Sequence, residues 1–581
     1  MIILGINTYH PNSSACLLVN GEIKIALEEE RINRIKYWSG LPINAIKLCL
    51  KNQNIEFSNI DYVAINQNFF ANIFSKIKYT LYKRPDIFFL VNSFKNKLKK
   101  KNILNLLQNE FGSFKKNCKL VGIEHHKSHI ASAFFESKFD KSVNLSVDGF
   151  GDFASVAWGL GNKEKINIDH KILFPNSLGI FYESFTQFLG FSNFGEEYKV
   201  MGLSSLGSPT HLEKIKNIIK LKKNGEFELN LNYFNHHKKN IIYSFDNVAP
   251  KIDNLFNNNF INLFGNPRKK DEDISGYHKD LAASVQKVYE EVLFHILNYT
   301  YDKYKIDNLT LSGGCAQNSL ANGKIIKNTR FQSLFVPSNP GDGGGSVGAA
   351  YSLWSSLSKK RPSNKLSCYL GNSYSNSEVE KVIINKKKEM ESENCKFFFI
   401  ENEEMLCNFT AEQLSQQKVI GWFQGNMEWG PRALGNRSII SDPRNSDIKN
   451  ILNLKIKRRE SFRPFAPSIL FEEAKNWFDD FVDEEPHMSR VLHFKKNKKD
   501  LIPGVVHVDG TGRLQTVKKT DNPRYYKLIS CFNKITGIPI ILNTSFNENE
   551  PIVFTPENAL NCFLRTKMDI LIIENWVIIR N

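Results

Sequence analysis

Twice in this chain a short apolar strand runs into a polar, glycine-tolerant loop and returns as a second strand. The first unit is Ile2 to Ile6, then the turn-rich Asn7 to Ser14, then Ala15 to Val19. Glu22 to Leu27 follows across Asn20-Gly21, a dipeptide that favours a tight hairpin turn. The second unit is Val143 to Val147, then Asp148-Gly149-Phe150-Gly151-Asp152, then Ala154 to Leu160. Repetition of this unit predicts a duplicated α/β fold with phosphate-facing loops. Gly149, Gly151 and Ala154 imitate a dinucleotide fingerprint, but SVAWGLG reads as strand where that motif needs a helix, so the match is rejected.

At 581 residues the chain is too long for one small domain and suits two large α/β domains. Lys359 to Ser377 (KKRPSNKLSCYLGNSYSNS) is polar and carries turn residues, so the boundary is expected near 365, giving domains 1–365 and 366–581. Downstream, Val419 to Phe423, Gly537 to Leu542 and Met568 to Ile573 read as strands and Pro556 to Leu564 as a helix. Upstream, Leu309 to Leu311 precedes Ser312-Gly313-Gly314, and Leu334 to Val336 precedes GDGGGSVGAAY. Glycines between a strand and a helix offer unpaired N–H groups to an anion, or simply make a tight turn; each loop alone is open to both readings.

The net charge of +17 suggests an anionic partner such as a nucleotide, nucleic acid or membrane surface. The excess is concentrated: residues 76–119 hold twelve Lys and Arg, including Lys95, Lys97, Lys99, Lys100 and Lys101, against Asp86 and Glu110. This stretch reads as a solvated, lysine-rich helical insertion, and nucleic-acid binding is not inferred from it. The nine cysteines form no CxxC pair, which excludes a zinc-finger spacing and points to a reducing compartment. MIILGINTYH has no basic leader, and no segment nears the ~18 apolar residues of a membrane span. A soluble, cytoplasmic protein is expected.

His125 and His129 lie four apart in HHKSHIASAFFESKF, a stretch with helical apolar spacing, so they share a face and can chelate one metal ion. A capping or core histidine pair is the alternative. Asp148, at a strand end, and Asp342, in a glycine-rich loop, are the carboxylates that strand-end convergence would bring to them. Such a set suits iron(II), manganese or zinc.

The second half is rich in arginine: Arg432 and Arg437, then Lys457, Arg458, Arg459 and Arg463, then Arg513. Arginine clamps phosphate bidentately, so a polyphosphate ligand is expected, although no GxxxxGK[ST] loop is present. Cys315 lacks an identifiable activating partner and reads as a small buried thiol.

HHKSH, VDGFGD, EEYKVMGL, LSGGCAQNSLAN, PGDGGGSVGAAY, WGPRALGNRS, RESFRPFAPS and NTSFNENEPIV, in this order, resemble the O-carbamoyltransferases of the nodulation and antibiotic-pathway type. The resemblance runs from Ile3 to about Asp569. It implies an α/β chain in which a TsaD-like, actin/sugar-kinase-like, duplicated N-terminal domain precedes a YrdC-like α/β C-terminal domain. The YrdC-like domain would make carbamoyl adenylate from ATP and carbamoyl phosphate. The other would move the carbamoyl group to a hydroxyl of a small-molecule or saccharide acceptor.

By the same resemblance, Lys457, Arg459, Ser545 and Asn547 fit the K-x-R and S-x-N elements of the YrdC pattern. Arg432, Arg463, Arg513 and Asn543 would join them around ATP, with its Mg2+, and carbamoyl phosphate. His125, His129, Asp148 and Asp342 map onto the family's iron ligands, for Fe2+ or another divalent metal. Gly313, Gly314 and Gly343 would cradle the adenylate. Lys36 and Lys199 are candidates for acceptor or adenylate contact. Many relatives place a histidine directly before the acidic residue of the first loop; here His10 is followed by Pro11 and Asn12. His10 then acts as the general base from one position earlier or only shapes the loop. The alternatives are a tRNA threonylcarbamoyl-type enzyme and a non-catalytic ATP-binding protein. A homodimer is the default assembly.

Overall fold

The computed structural model describes residues 1–83, 103–237, 243–244, 248–363, 367–460 and 462–581. The chain divides into two compact units, Met1–Ala321 with Ile325–Leu366, and Asn322–Lys324 with Ser367–Asn581. The boundary expected at 365 and the lysines at 95–101 lie outside the described residues.

The first unit holds two five-stranded sheets. One contains β1 (Ile2–Asn7), β2 (Ser14–Val19), β3 (Glu22–Glu28), β4 (Tyr62–Ile65) and β5 (Lys119–Gly122), in the order β3-β2-β1-β4-β5. The other contains β6 (Lys141–Gly151), β7 (Ala154–Asn162) and β8 (Lys165–Leu173). Two short ladders follow, β9 (Ile219–Leu221) with β10 (Phe227–Leu229), and β11 (Tyr243–Ser244) with β12 (Lys251–Ile252). Then β13 (Asn308–Ser312) and β14 (Ser333–Phe335) complete the second sheet, in the order β14-β13-β6-β7-β8. Each sheet is an antiparallel three-strand meander whose first strand pairs in parallel with a fourth, and the fourth with a fifth.

Local chemistry accounts for the edges of these elements. Asn20 and Gly21 both take positive φ, 50° and 91°, as a two-residue hairpin between right-twisted strands requires. The loop expected over Asp148 to Asp152 is shorter than its composition suggests. β6 runs on through Gly151 with an irregular register after Val147, and Asp152 and Phe153, at φ 48° and 72°, make the turn. The buried Gly345–Ser358 helix crosses the His125–Glu136 helix at Gly348, where a methyl group would strike the Ser128 carbonyl oxygen.

The second unit is built on one eight-stranded mixed sheet. It comprises β15 (Cys395–Phe399), β16 (Ile420–Phe423), β17 (Arg437–Ser441) and β18 (Ala466–Leu470). A side ladder pairs β19 (Val491–His493) with β20 (Thr511–Arg513). The sheet continues with β21 (Gln515–Val517), β22 (Ile540–Ser545), β23 (Ile570–Ile573) and β24 (Trp576–Arg580), in the order β15-β24-β23-β16-β17-β22-β18-β21. β22 starts later than the expected Gly537, because Gly537 caps the preceding helix Pro523–Thr536 at φ 72°. Trp422, Phe423, Ile541, Phe563 and Ile572 lie in its core.

Candidate metal centre and arginine cluster

The His125–Glu136 helix begins against the turn after β6. Glu124 caps it by accepting from the Lys127 amide at 3.0 Å, and Asp152 Oδ2 accepts from the His125 amide at 2.9 Å. Both acidic groups sit at the positive helix end. Nothing in the spacing of VDGFGD marks Asp152 for this task. A methyl at Gly151 would fall inside the His125 ring, so glycine there gives the imidazole its space.

His125 and His129, one helical turn apart, point at Asp148. His125 Nε2, His129 Nε2 and Asp148 Oδ2 lie 3.0 Å from one another pairwise. Asp342 Oδ1, buried without a hydrogen-bond partner, is 3.5 Å and 3.4 Å from the two nitrogens. All four ligand atoms fall within 4.8 Å of one another. Each imidazole carries at most one proton on Nε2, and charging a ring adds its second proton at Nδ1, so the two rings alone supply too few donors to bridge every gap in this group. A divalent cation meets the four lone-pair atoms at once, and mixed imidazole–carboxylate donors suit iron(II), manganese or zinc.

The electrostatics agree with a cation site. Burial opposes charge on Asp148, but hydrogen bonds from His125 and His129 outweigh it and hold the carboxyl well below its usual range. Burial likewise opposes charge on His129, while Asp148 and Asp342 raise its pKa to about 10. His126 turns away, pairing with Ser146 Oγ at 2.9 Å; burial, and then His125, lower its pKa to about 4. Asp148 Oδ1 accepts from the Gly149 and Gly314 amides at 2.8 Å and 3.2 Å. The Gly313 amide donates to Pro340 O at 2.8 Å, so both N–H groups expected to face an anion bond to protein here. Gly343 lies in the turn after Asp342, against Glu28 and Asn339.

His10 belongs to the same place: Nδ1 is 4.0 Å from Asp342 Oδ2, and its ring stacks on His125. Lys36 is exposed, in a turn after the Glu29–Asn33 helix. Lys199 pairs with Glu196 at 2.6 Å and lies over the Phe191 ring. A buried network, Glu28–Arg31–Glu30 at 2.8 Å and 2.7 Å, ties Asn339 near the Asp342 turn to the amide of Tyr37 beside Lys36. Cys315 has its thiol pushed well up by burial, as expected of an inert sulfur.

In the second unit the basic residues divide by environment. Lys457 is buried at the end of β22, and Nζ donates to the Ser545 carbonyl, to Ser545 Oγ at 3.3 Å, and to Asn547 O and Oδ1 at 2.8 Å and 2.7 Å. Arg459 bonds Asn453 Oδ1 at 2.8 Å with its guanidinium over Phe465, and Arg463 pairs with Glu460 at 2.6 Å. Arg513, on β20, has its Nε buried without a hydrogen-bond partner. Burial, then the charges of Arg432 and Arg459, hold it well below the usual arginine range. An anion bound between such guanidinium groups would offset their repulsion. The Asn543 Nδ2 lies within hydrogen-bond distance of Ala433 O, Ser468 Oγ and Gln515 Oε1, while its Oδ1 is buried without a hydrogen-bond partner.

Among the described residues no helix is long and apolar enough to cross a membrane. The family model described as Carbamoyltransferase N-terminus matches residues 2–351, and that described as Carbamoyltransferase C-terminus matches residues 411–580. An uncharacterized protein of Synechocystis sp. is 36% identical, over 99% of this chain and 96% of its own. The nodulation protein NolNO of Sinorhizobium fredii is 34% identical, over 98% of this chain and 79% of its own. The crystal structure of T. kodakarensis HypF aligns with 62% of this chain and 48% of its own, at 14% identity and a TM-score of 0.31.

Proposed function

The chain belongs to the carbamoyltransferase family, and on that premise we propose that it works in two steps, each carried by one of its units. Residues from 366 on form carbamoyl adenylate from ATP and carbamoyl phosphate, in a YrdC-like role. Residues up to 365, whose two sheets share one strand order, act as a duplicated actin/sugar-kinase-like domain that transfers the carbamoyl group to a hydroxyl of a small-molecule or saccharide acceptor.

In the first step one water hydrolyses carbamoyl phosphate to carbamate and inorganic phosphate. A carbamate oxygen attacks the α-phosphorus of ATP, and the bond to the β-phosphate oxygen breaks to release pyrophosphate. Arg432, Arg459, Arg463 and Arg513 are the fixed cations that oppose the charge growing on the phosphate oxygens, and Lys457, held by Ser545 and Asn547, adds an ammonium. In the second step the acceptor oxygen attacks the carbamoyl carbon, and the carbon–oxygen bond to AMP breaks. His10, beside Asp342, takes the hydroxyl proton on a ring nitrogen. His125, His129, Asp148 and Asp342 would hold an iron(II) or similar divalent ion, which supplies a Lewis-acidic charge beside the leaving phosphate.

The observation that carries this reading is the convergence of four ligand atoms within 4.8 Å in one family-matched unit, with an arginine cluster in the other. Its test is exchange of labelled pyrophosphate into ATP. Exchange that requires carbamoyl phosphate supports adenylate formation; exchange absent at any carbamoyl phosphate concentration rejects it.

A further inference from the structure

The helix Ile73–Lys83 (IFSKIKYTLYK) has two opposed sides. One side is fixed to the unit. Tyr79 lies edge-on to Phe153 and Phe174, with ring centroids 5.7 Å and 5.1 Å away, and its hydroxyl donates to His237 O at 3.3 Å. Asn72, just before the helix, donates to Asp152 O at 2.8 Å. At 100° per residue, Ile77 and Leu81 each stand about 200° from Tyr79, and Phe74 shares their face. That face is outward. Phe74 is 85% exposed, Leu81 72% and Ile77 51%, and Phe70 in the preceding turn is 73% exposed. Four large apolar side chains at spacings of four, three and four make a continuous stripe, where isolated exposed hydrophobes would be unremarkable.

Charge decides between occupants. The helix has no Asp or Glu and carries Lys76, Lys78 and Lys83, with Lys78 exposed beside the stripe. A second copy of a chain with net charge +17 would bring the same basic surface against itself. Duplex nucleic acid would meet the charge but leave the apolar stripe uncovered. An anionic lipid surface satisfies both, because apolar side chains enter the acyl boundary while lysines stay among the headgroups. We propose that Phe70 and the Ile73–Lys83 helix form an interfacial docking element for an anionic lipid bilayer, lying on it without crossing it. Through Asn72 and Tyr79 the docked helix would hold the Asp152–Phe153 turn, and with it the end of β6 that carries Asp148 of the metal cluster, close to that surface. The docking needs no catalytic activity and so stands apart from the proposed reaction.

The test is co-sedimentation of the full chain with vesicles of phosphatidylcholine alone or mixed with phosphatidylglycerol, beside its sedimentation mass in solution. Binding should require phosphatidylglycerol and fall with salt. Phe74→Ser with Leu81→Ser should weaken it about tenfold or more, and Lys78→Glu by about tenfold. Both variants change exposed side chains, and an unchanged melting temperature verifies their fold. Absence of binding to anionic vesicles overturns the proposal, as does equal binding by the double variant. A dimer that dissociates on the double substitution without any vesicle binding also overturns it, assigning the stripe to a second copy.

Discussion

His10 Nδ1 lies 4.0 Å from Asp342 Oδ2, and its ring stacks on His125 with centroids 5.1 Å apart. A titratable ring is thus placed directly beside the four-residue cluster, on a loop that leaves β1. His10→Asn should lower carbamoyl transfer by roughly 10²- to 10⁴-fold, the range of general acid–base catalysis, while adenylate formation stays within about twofold. Single-turnover transfer from preformed adenylate checks this; transfer at the wild-type rate removes His10 from proton transfer.

Asp342→Asn, or joint replacement of His125 and His129 by alanine, should abolish metal retention and transfer while sparing adenylate formation. The cluster lies within one unit, and no residue of the arginine group belongs to it. Metal content and pyrophosphate release are measured on the same preparation. Equal loss of both half-reactions would overturn the division of labour.

Arg513 has a buried Nε without a partner and is repelled by Arg432 and Arg459, an arrangement that a bound phosphate would relieve. Arg513→Ala and Arg463→Ala should each reduce ATP cleavage about 10²-fold or more, comparable to removing one transition-state donor. Because Arg513 gains no protein hydrogen bond through Nε, its removal should leave thermal stability unchanged or raised. AMP formation at the wild-type rate in Arg463→Ala would take that residue out of the site.

His236 is buried and bonds the Pro175 carbonyl at 2.8 Å; burial lowers its pKa to about 4, partly offset by that bond. The unfolded chain takes up this proton near pH 6.5, so between pH 6.5 and 4 it binds more protons than the folded chain. Stability therefore falls as the pH drops through this window, by about 2 kcal/mol from His236 at pH 5. Urea unfolding at pH 7 and pH 5 should show a smaller acid loss for His236→Gln than for the unaltered chain; equal losses would refute the assignment.

Local sequence signals located many of these parts. Asn20-Gly21 announces its hairpin because few residue pairs tolerate two positive φ values, and the HxxxH spacing announces a shared helix face. Asp148 and Asp342 meet the histidines because strand ends and glycine-rich loops converge in α/β sheets. Other features depend on contacts made across long sequence distances. The extension of β6 through Gly151 comes from an irregular pairing with β7 that composition does not encode. Asp152 acts through a backbone amide, which has no sequence signature. The side-chain network of Asn543 with Ser468 and Gln515 likewise joins positions far apart in the chain. The isolation of Arg513 is visible only once its surroundings are packed.

The most direct test of the central claim is release of AMP and pyrophosphate by the purified, metal-loaded chain given ATP, with and without carbamoyl phosphate. The account predicts release of both only when carbamoyl phosphate is present, with Asp342→Asn sparing pyrophosphate release but blocking that of AMP, and Arg463→Ala losing both. Release independent of carbamoyl phosphate, or none from a folded and metal-loaded chain across added hydroxyl acceptors, would contradict it.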